Sequence, residues 1–168
     1  METLIWLEHT AFSTYIRESS TIWGYPIVLI LHGMGMAIVV GFSTMVGLRI
    51  LGFAPRIPIE PMGKFFPLIF TGFWINAITG VVLVMCSATT MLTNWVMYIK
   101  FAAIGIAVVC LHMIKTQVFP GTGTGPTLPS NAKLLAGTLL FVWAVGITAG
   151  RLTAYIGALV DPLSLVGR

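Results

Sequence analysis

Residues 23–48 read WGYPIVLILHGMGMAIVVGFSTMVGL: no aspartate, glutamate, lysine or arginine interrupts them, and the one side chain that titrates near neutral pH is His32. At about 1.5 Å of rise per residue, a helix of this length exceeds the ~30 Å hydrocarbon core of a bilayer. The stretch therefore reads as a transmembrane helix. Three more such stretches follow: 65–91 with no formal charge, 95–119 with Lys100, His112 and Lys115, and 134–159 with Arg151. Together they occupy most of the 168 residues and leave no room for a second globular domain.

In lipid only helices and closed barrels satisfy their own backbone. These spans are too long and too continuously apolar for barrel strands. The expected fold is an all-α membrane protein, an antiparallel bundle of four transmembrane helices forming one domain over 1–168. Composition agrees: 8% of residues are charged and 57% hydrophobic, against roughly 25% charged in soluble domains. Ahead of the first span, residues 3–19 place Leu4, Leu7, Phe12, Tyr15 and Ile16 among polar neighbours. That spacing predicts an N-terminal amphipathic helix on the membrane surface. The first twenty residues lack a basic start followed by an apolar run, so no cleaved signal peptide is expected.

Charge placement orients the spans. Arg49, Arg56 and Lys64 follow the first span, and Lys115 and Lys133 flank the loop after the third. Positive loops stay in the cytoplasm, which puts both termini on the periplasmic side of a bacterial inner membrane. Pro55, Pro58 and Pro61 break up the first cytoplasmic loop, and the Gly- and Thr-rich stretch 120–129 reads as a mobile second one. The net charge of +4 is spread thinly over these flanks and does not suggest nucleic acid. Cys86 and Cys110 lie on different spans, so a disulfide scaffold is not expected.

Besides Lys115 near the loop end, the cationic and imidazole groups within the spans are His32, Lys100, His112 and Arg151, and no carboxylate accompanies them. Such groups are costly in lipid and need a reason to be there. Counting from the span ends places His32, Lys100, Arg151 and Tyr155 in one layer of the outer leaflet, with His112 roughly 18 Å deeper. A neutral imidazole is a common axial ligand of haem iron, and Gly33 and Gly35 beside His32 would let a flat macrocycle approach the backbone. The alternative is a histidine satisfied by a hydroxyl or carbonyl of the next helix. Lys100 fits a second axial ligand, a propionate contact, or a side chain that snorkels to the interface. Arg151 needs an anion or carbonyls; a haem propionate would serve, with Tyr155 one turn away, and Glu18 is the alternative within the chain. His112 reads as a ligand of a second, inner haem or as an interfacial histidine.

Met36, one turn from His32, opens a copper reading, since His and Met suit Cu(I); Met34 points well away from that face. Gly146, Gly150 and Ala154 recur at every fourth position, the small-residue spacing of close helix packing, here expected within the bundle. Trp74, Asn76 and Trp143 read as interior, and Trp6, Trp23 and Trp95 as an interfacial belt. No acidic group in a span, no nucleophile–base pair and no phosphate-cradling loop argue against a proton pump, a hydrolase or an NTPase. The chain reads as a redox carrier or accessory subunit rather than an independent enzyme.

Tyr15, Ile16, Arg17, Glu18 and Ser19, then Tyr25, Pro26, His32, Gly41, Leu48 and Arg49, then Lys100, His112, Gly150, Arg151, Ala154 and Tyr155 resemble the pattern of an uncharacterised group of bacterial four-helix inner-membrane proteins. More distantly the layout is similar to the HemJ and CopD proteins, with His32, Lys100, His112 and Arg49 at matching places. The resemblance implies haem b, or copper as CopD proteins handle it. In place of the aromatic-rich HemJ sequence after the first histidine stand Gly33, Met34, Gly35 and Met36, so haem binding carries over rather than protoporphyrinogen oxidation. The expected function is a haem b-binding membrane protein passing electrons to or from a quinone or periplasmic carrier. The alternatives are an accessory subunit alongside other membrane subunits, and a copper-handling protein.

Overall fold

A computed structural model describes residues 2–120 and 128–160. The glycine-rich loop 121–127 and the side chain of Ala154 lie outside the described residues. Among the described residues every regular element is helical. The order is α1 (Glu2–Glu8), α2 (Ala11–Glu18), α3 (Tyr25–Leu51), α4 (Phe66–Cys86), α5 (Ala88–Leu92), α6 (Trp95–Val118) and α7 (Ala132–Val160), with a 3-10 turn over Glu60–Phe65 leading into α4. The four long helices are long and apolar enough to cross a membrane. Their outward side chains, among them Leu29, Ile30, Ile78, Ile106 and Phe141, are exposed and apolar, as lipid requires. The protein is an all-α, multi-pass membrane protein.

Two boundaries differ from expectation. The surface segment is two short helices, because Thr10 takes an extended conformation and its side chain accepts from Ser13 N, capping a new helix. The second span stops at Cys86: Ser87 leaves helical geometry at φ −145°, ψ 43°, and α5 begins after it. At the opposite end Gly52, at φ +101°, terminates α3 with a left-handed cap. Arg49 then donates to the carbonyls of Ile57 (2.6 Å) and Pro55 (3.2 Å), folding the first loop back on itself. Arg49 is thus engaged by its own loop.

Helix α3 packs on α4 and α7, and α6 packs on α7. The α3–α4 crossing is made by glycine. A Cβ on Gly35 would stand 2.7 Å from Asn76 N and 2.9 Å from the Gly72 carbonyl, so the two backbones touch there. Gly146 packs against Ala103 of α6, so the small-residue seam is used inside the bundle.

The largest buried side chains, including Phe66, Ile69, Leu111, Ile114 and Leu139, fill the half of the bundle next to Arg49, Lys64, Lys115 and Lys133. There Phe66 meets Phe119 edge-on, with ring centroids 5.4 Å apart, and the Lys115 ammonium lies 5.2 Å from the Phe70 ring centroid. That half is the basic end. The other half carries α1, α2 and α5, a smaller cluster of Ile16, Val28, Leu83 and Cys86, and exposed Trp6, Trp23 and Trp95. Trp143 is buried and its Nε1 has no partner among the described residues, whereas Trp74 is exposed on α4 rather than interior. Helix rotation turns Phe73 part-way into the core and leaves Trp74 exposed, with their ring centroids 5.5 Å apart, which composition alone does not reveal.

Candidate functional site

Asn76, Thr79 and Gly80 sit at i, i+3 and i+4 on α4, hence on one face. Facing them from α3 is His32. Its Nδ1 lies 3.1 Å from the Asn76 carbonyl and 3.1 Å from Thr79 Oγ1. The Asn76 side-chain amide donates back to the His32 carbonyl at 2.9 Å. The Thr79 hydroxyl already donates to the Ile75 carbonyl at 2.6 Å, so toward His32 it accepts. Both neighbours of Nδ1 are therefore acceptors, which assigns the proton to Nδ1 and leaves the lone pair on Nε2. Nε2 has no hydrogen-bond partner among the described residues. A ring fixed through one nitrogen to a backbone carbonyl, with the other free, is the arrangement of ligating histidines.

His32 lines a cavity of about 260 Å³ that all four long helices share. Gly80 floors it under the imidazole: a Cβ there would stand 3.2 Å from His32 Cε1. Across it stands Lys100 of α6, half-buried, its chain lying along Gly150 of α7 so that a Cβ on Gly150 would be 3.5 Å from Nζ. Ser87, Met97 and Thr153 complete the nearer wall, and Thr90 and Met91 of α5 close the end. Lys100 Nζ finds no hydrogen-bond acceptor among the described residues. Glycine at both 80 and 150 leaves room for the two nitrogen-bearing side chains to face one space.

The remaining expected site residues fall elsewhere. Arg151 and Tyr155 are exposed on α7, while their neighbours Gly150 and Thr153 line the cavity. Glu18 lies 3.6 Å from Arg17 in an exposed pair and does not meet Arg151. Met36 is half-buried and does not line the cavity. His112 is exposed near the basic end. Among the described residues no three His, Cys, Asp or Glu side chains gather into a metal-binding cluster.

The donor chemistry suits a cofactor that takes an imidazole nitrogen on one side and an amine on the other. The volume is tight: small-molecule sites run from ~300 to 1,000 Å³, and the cavity falls just below that range. Compared with family models, with curated proteins and with solved structures, the chain matches none.

Proposed function

We propose that this protein binds one haem b in the α5 half of the bundle and carries electrons to or from a quinone or a periplasmic carrier. The observation that carries this reading is His32: Nδ1 held by Asn76 and Thr79, Nε2 unengaged, and the ring at the wall of a cavity it shares with Lys100. In this reading His32 Nε2 would hold the haem iron, and Lys100 would be a second ligand or a propionate contact. Arg151, next in the chain to the cavity-lining Gly150, and Tyr155 are the groups offered to the propionates. Bound haem supplies a one-electron couple; Asn76 and Thr79 fix the ring orientation and keep the imidazole basic. The basic groups Arg49, Lys64, Lys115 and Lys133 at the opposite end support a bacterial inner-membrane location with both termini periplasmic.

The direct test is an absorption spectrum of the detergent-solubilised protein, as purified and after haem is supplied. A Soret band saturating at one haem per chain is expected; no band under either condition overturns the reading. Gly80→Ala provides a finer check. The added methyl pushes on His32 Cε1 from 3.2 Å, and the ring yields by a few tenths of an ångström. Haem affinity should fall roughly tenfold, the lower end of what disturbing a group that orients a ligand costs, with the helical fold intact. Affinity equal to the parent protein's would show that the ring position does not matter.

Accessory-subunit function is a second reading, favoured by one observation. Arg151 is exposed on α7 and has no acceptor among the described residues, as a contact to another membrane subunit would require. Copurification with a stoichiometric partner and no cofactor would support it.

A further inference from the structure

We propose that α5 is a lid over the His32–Lys100 cavity and that Glu8 is its latch. The helix is five residues long, from Ala88 to Leu92, set off from α4 by the break at Ser87. It supplies Thr90 and Met91 to the cavity wall, so its position sets the size of the space. From outside, a single carboxylate oxygen of Glu8 accepts from Thr89 N at 2.8 Å and from Thr89 Oγ1 at 2.7 Å. Both bonds are charge-assisted, and one of them satisfies an N–H that the first turn of a helix leaves without an intrahelical partner.

The other ties on Glu8's helix are on its α2 side and at half-buried Leu4 and Leu7: the Leu7 carbonyl accepts from Thr10 Oγ1 at 3.0 Å and from Ser13 Oγ at 2.9 Å. Helix α1 buries none of its residues, and Ile5 and Trp6 face outward. Its hold on α5 thus combines shallow packing with one polar contact that can be made and broken. The next contact along, Arg17 to the Cys86 carbonyl at 3.4 Å, lies on the α4 side of the Ser87 break and does not restrain α5 directly. The two ends of α5 are fixed, since Ala88 is fully buried and Tyr98 Oη donates to the Leu92 carbonyl at 2.9 Å; Glu8 restrains the single turn between them, and so short a turn has the low local stability that moving elements need. Releasing Glu8 frees the Thr89–Met91 turn of α5 to shift between its two fixed ends and widens the cavity toward the α1 side, where an amphipathic ligand dissolved in the interface enters. This deepens the haem reading, because the cavity at its present size of about 260 Å³ is too small for a whole porphyrin, but the latch itself stands on the geometry alone.

The test reads cavity access without haem. In a Cys86→Ala, Cys110→Ala background, Thr153→Cys places one thiol in the cavity wall, and its rate of modification by a charged, water-soluble thiosulfonate is measured in nanodiscs. Glu8→Gln, which keeps size and shape, is expected to raise that rate about tenfold or more, while Glu18→Gln, on the exposed pair with Arg17, leaves it unchanged. Hydrogen exchange of the 88–92 amides should rise in Glu8→Gln as well. A rate and an exchange pattern unchanged by Glu8→Gln, or an equal effect of Glu18→Gln, overturns the latch. Response to Glu8 without any Soret band would keep the lid and remove haem; a Soret band without response to Glu8 would do the reverse.

Discussion

On the haem proposal, His32→Ala should cost at least about 100-fold in haem affinity and remove the Soret band from the purified protein, because it would delete a direct ligand where loss of a supporting partner alone costs 10–100-fold. The substitution is specific in what it takes away. Asn76 keeps its 2.9 Å bond to the His32 carbonyl, which alanine retains, and Thr79 keeps its bond to Ile75. The α3–α4 contact therefore survives, and the protein should purify as a folded, monodisperse species. Added imidazole should restore a band in His32→Ala by occupying the vacated space, a rescue that a purely structural role for the ring would not give. His112→Ala, at an exposed position near the basic end, should keep the parent spectrum. A His32→Ala protein with the parent's spectrum would falsify the assignment of the ligand.

Gly35→Ala is expected to be the most damaging single methyl in the molecule, lowering stability by about 1–3 kcal/mol as overpacking does. The methyl would meet Asn76 N at 2.7 Å and the Gly72 carbonyl at 2.9 Å, both backbone atoms that cannot rotate aside. Helices α3 and α4 must separate instead. Because Asn76 is also the residue whose carbonyl anchors His32, the same separation lengthens the Nδ1 bond and loosens the site. Gly33→Ala supplies the comparison, since a Cβ there meets nothing within 4 Å, and alanine is the better helix former by about 0.5–1 kcal/mol. Unfolding in a detergent series should separate the two variants clearly. Equal stability of Gly35→Ala and Gly33→Ala would mean that the crossing is not held by backbone contact.

Much of this architecture is legible before any coordinates, and the exceptions have a common cause. Hydropathy finds the spans because lipid imposes a long apolar run on each of them. Depth is legible too: counting 1.5 Å per residue from the span ends places His32 and Lys100 at one level, and both line the same cavity. Azimuth is not. Arg151 and Gly150 differ by one residue and by about 100° around α7, so one is exposed while the other touches Lys100. Only helix packing decides which of the two faces inward, and a count of residues carries no such information. The partners of His32 were partly within reach, since Asn76, Thr79 and Gly80 recur on one face of α4. The Glu8–Thr89 contact joins residues 81 apart in the chain, and nothing local to either announces it. The break at Ser87 is similarly silent, lying within an unbroken run of small and apolar residues.

The division between the two ends of the bundle has a consequence for how the chain tolerates mutation. Phe66, Ile69, Leu111, Ile114 and Leu139 cluster at the basic end, whereas His32, Gly80, Lys100 and Gly150 belong to the other. Robustness and chemistry thus reside in separate neighbourhoods of one small scaffold. Substitutions around the cavity should therefore reshape it without eroding the foundation that keeps the four rods together.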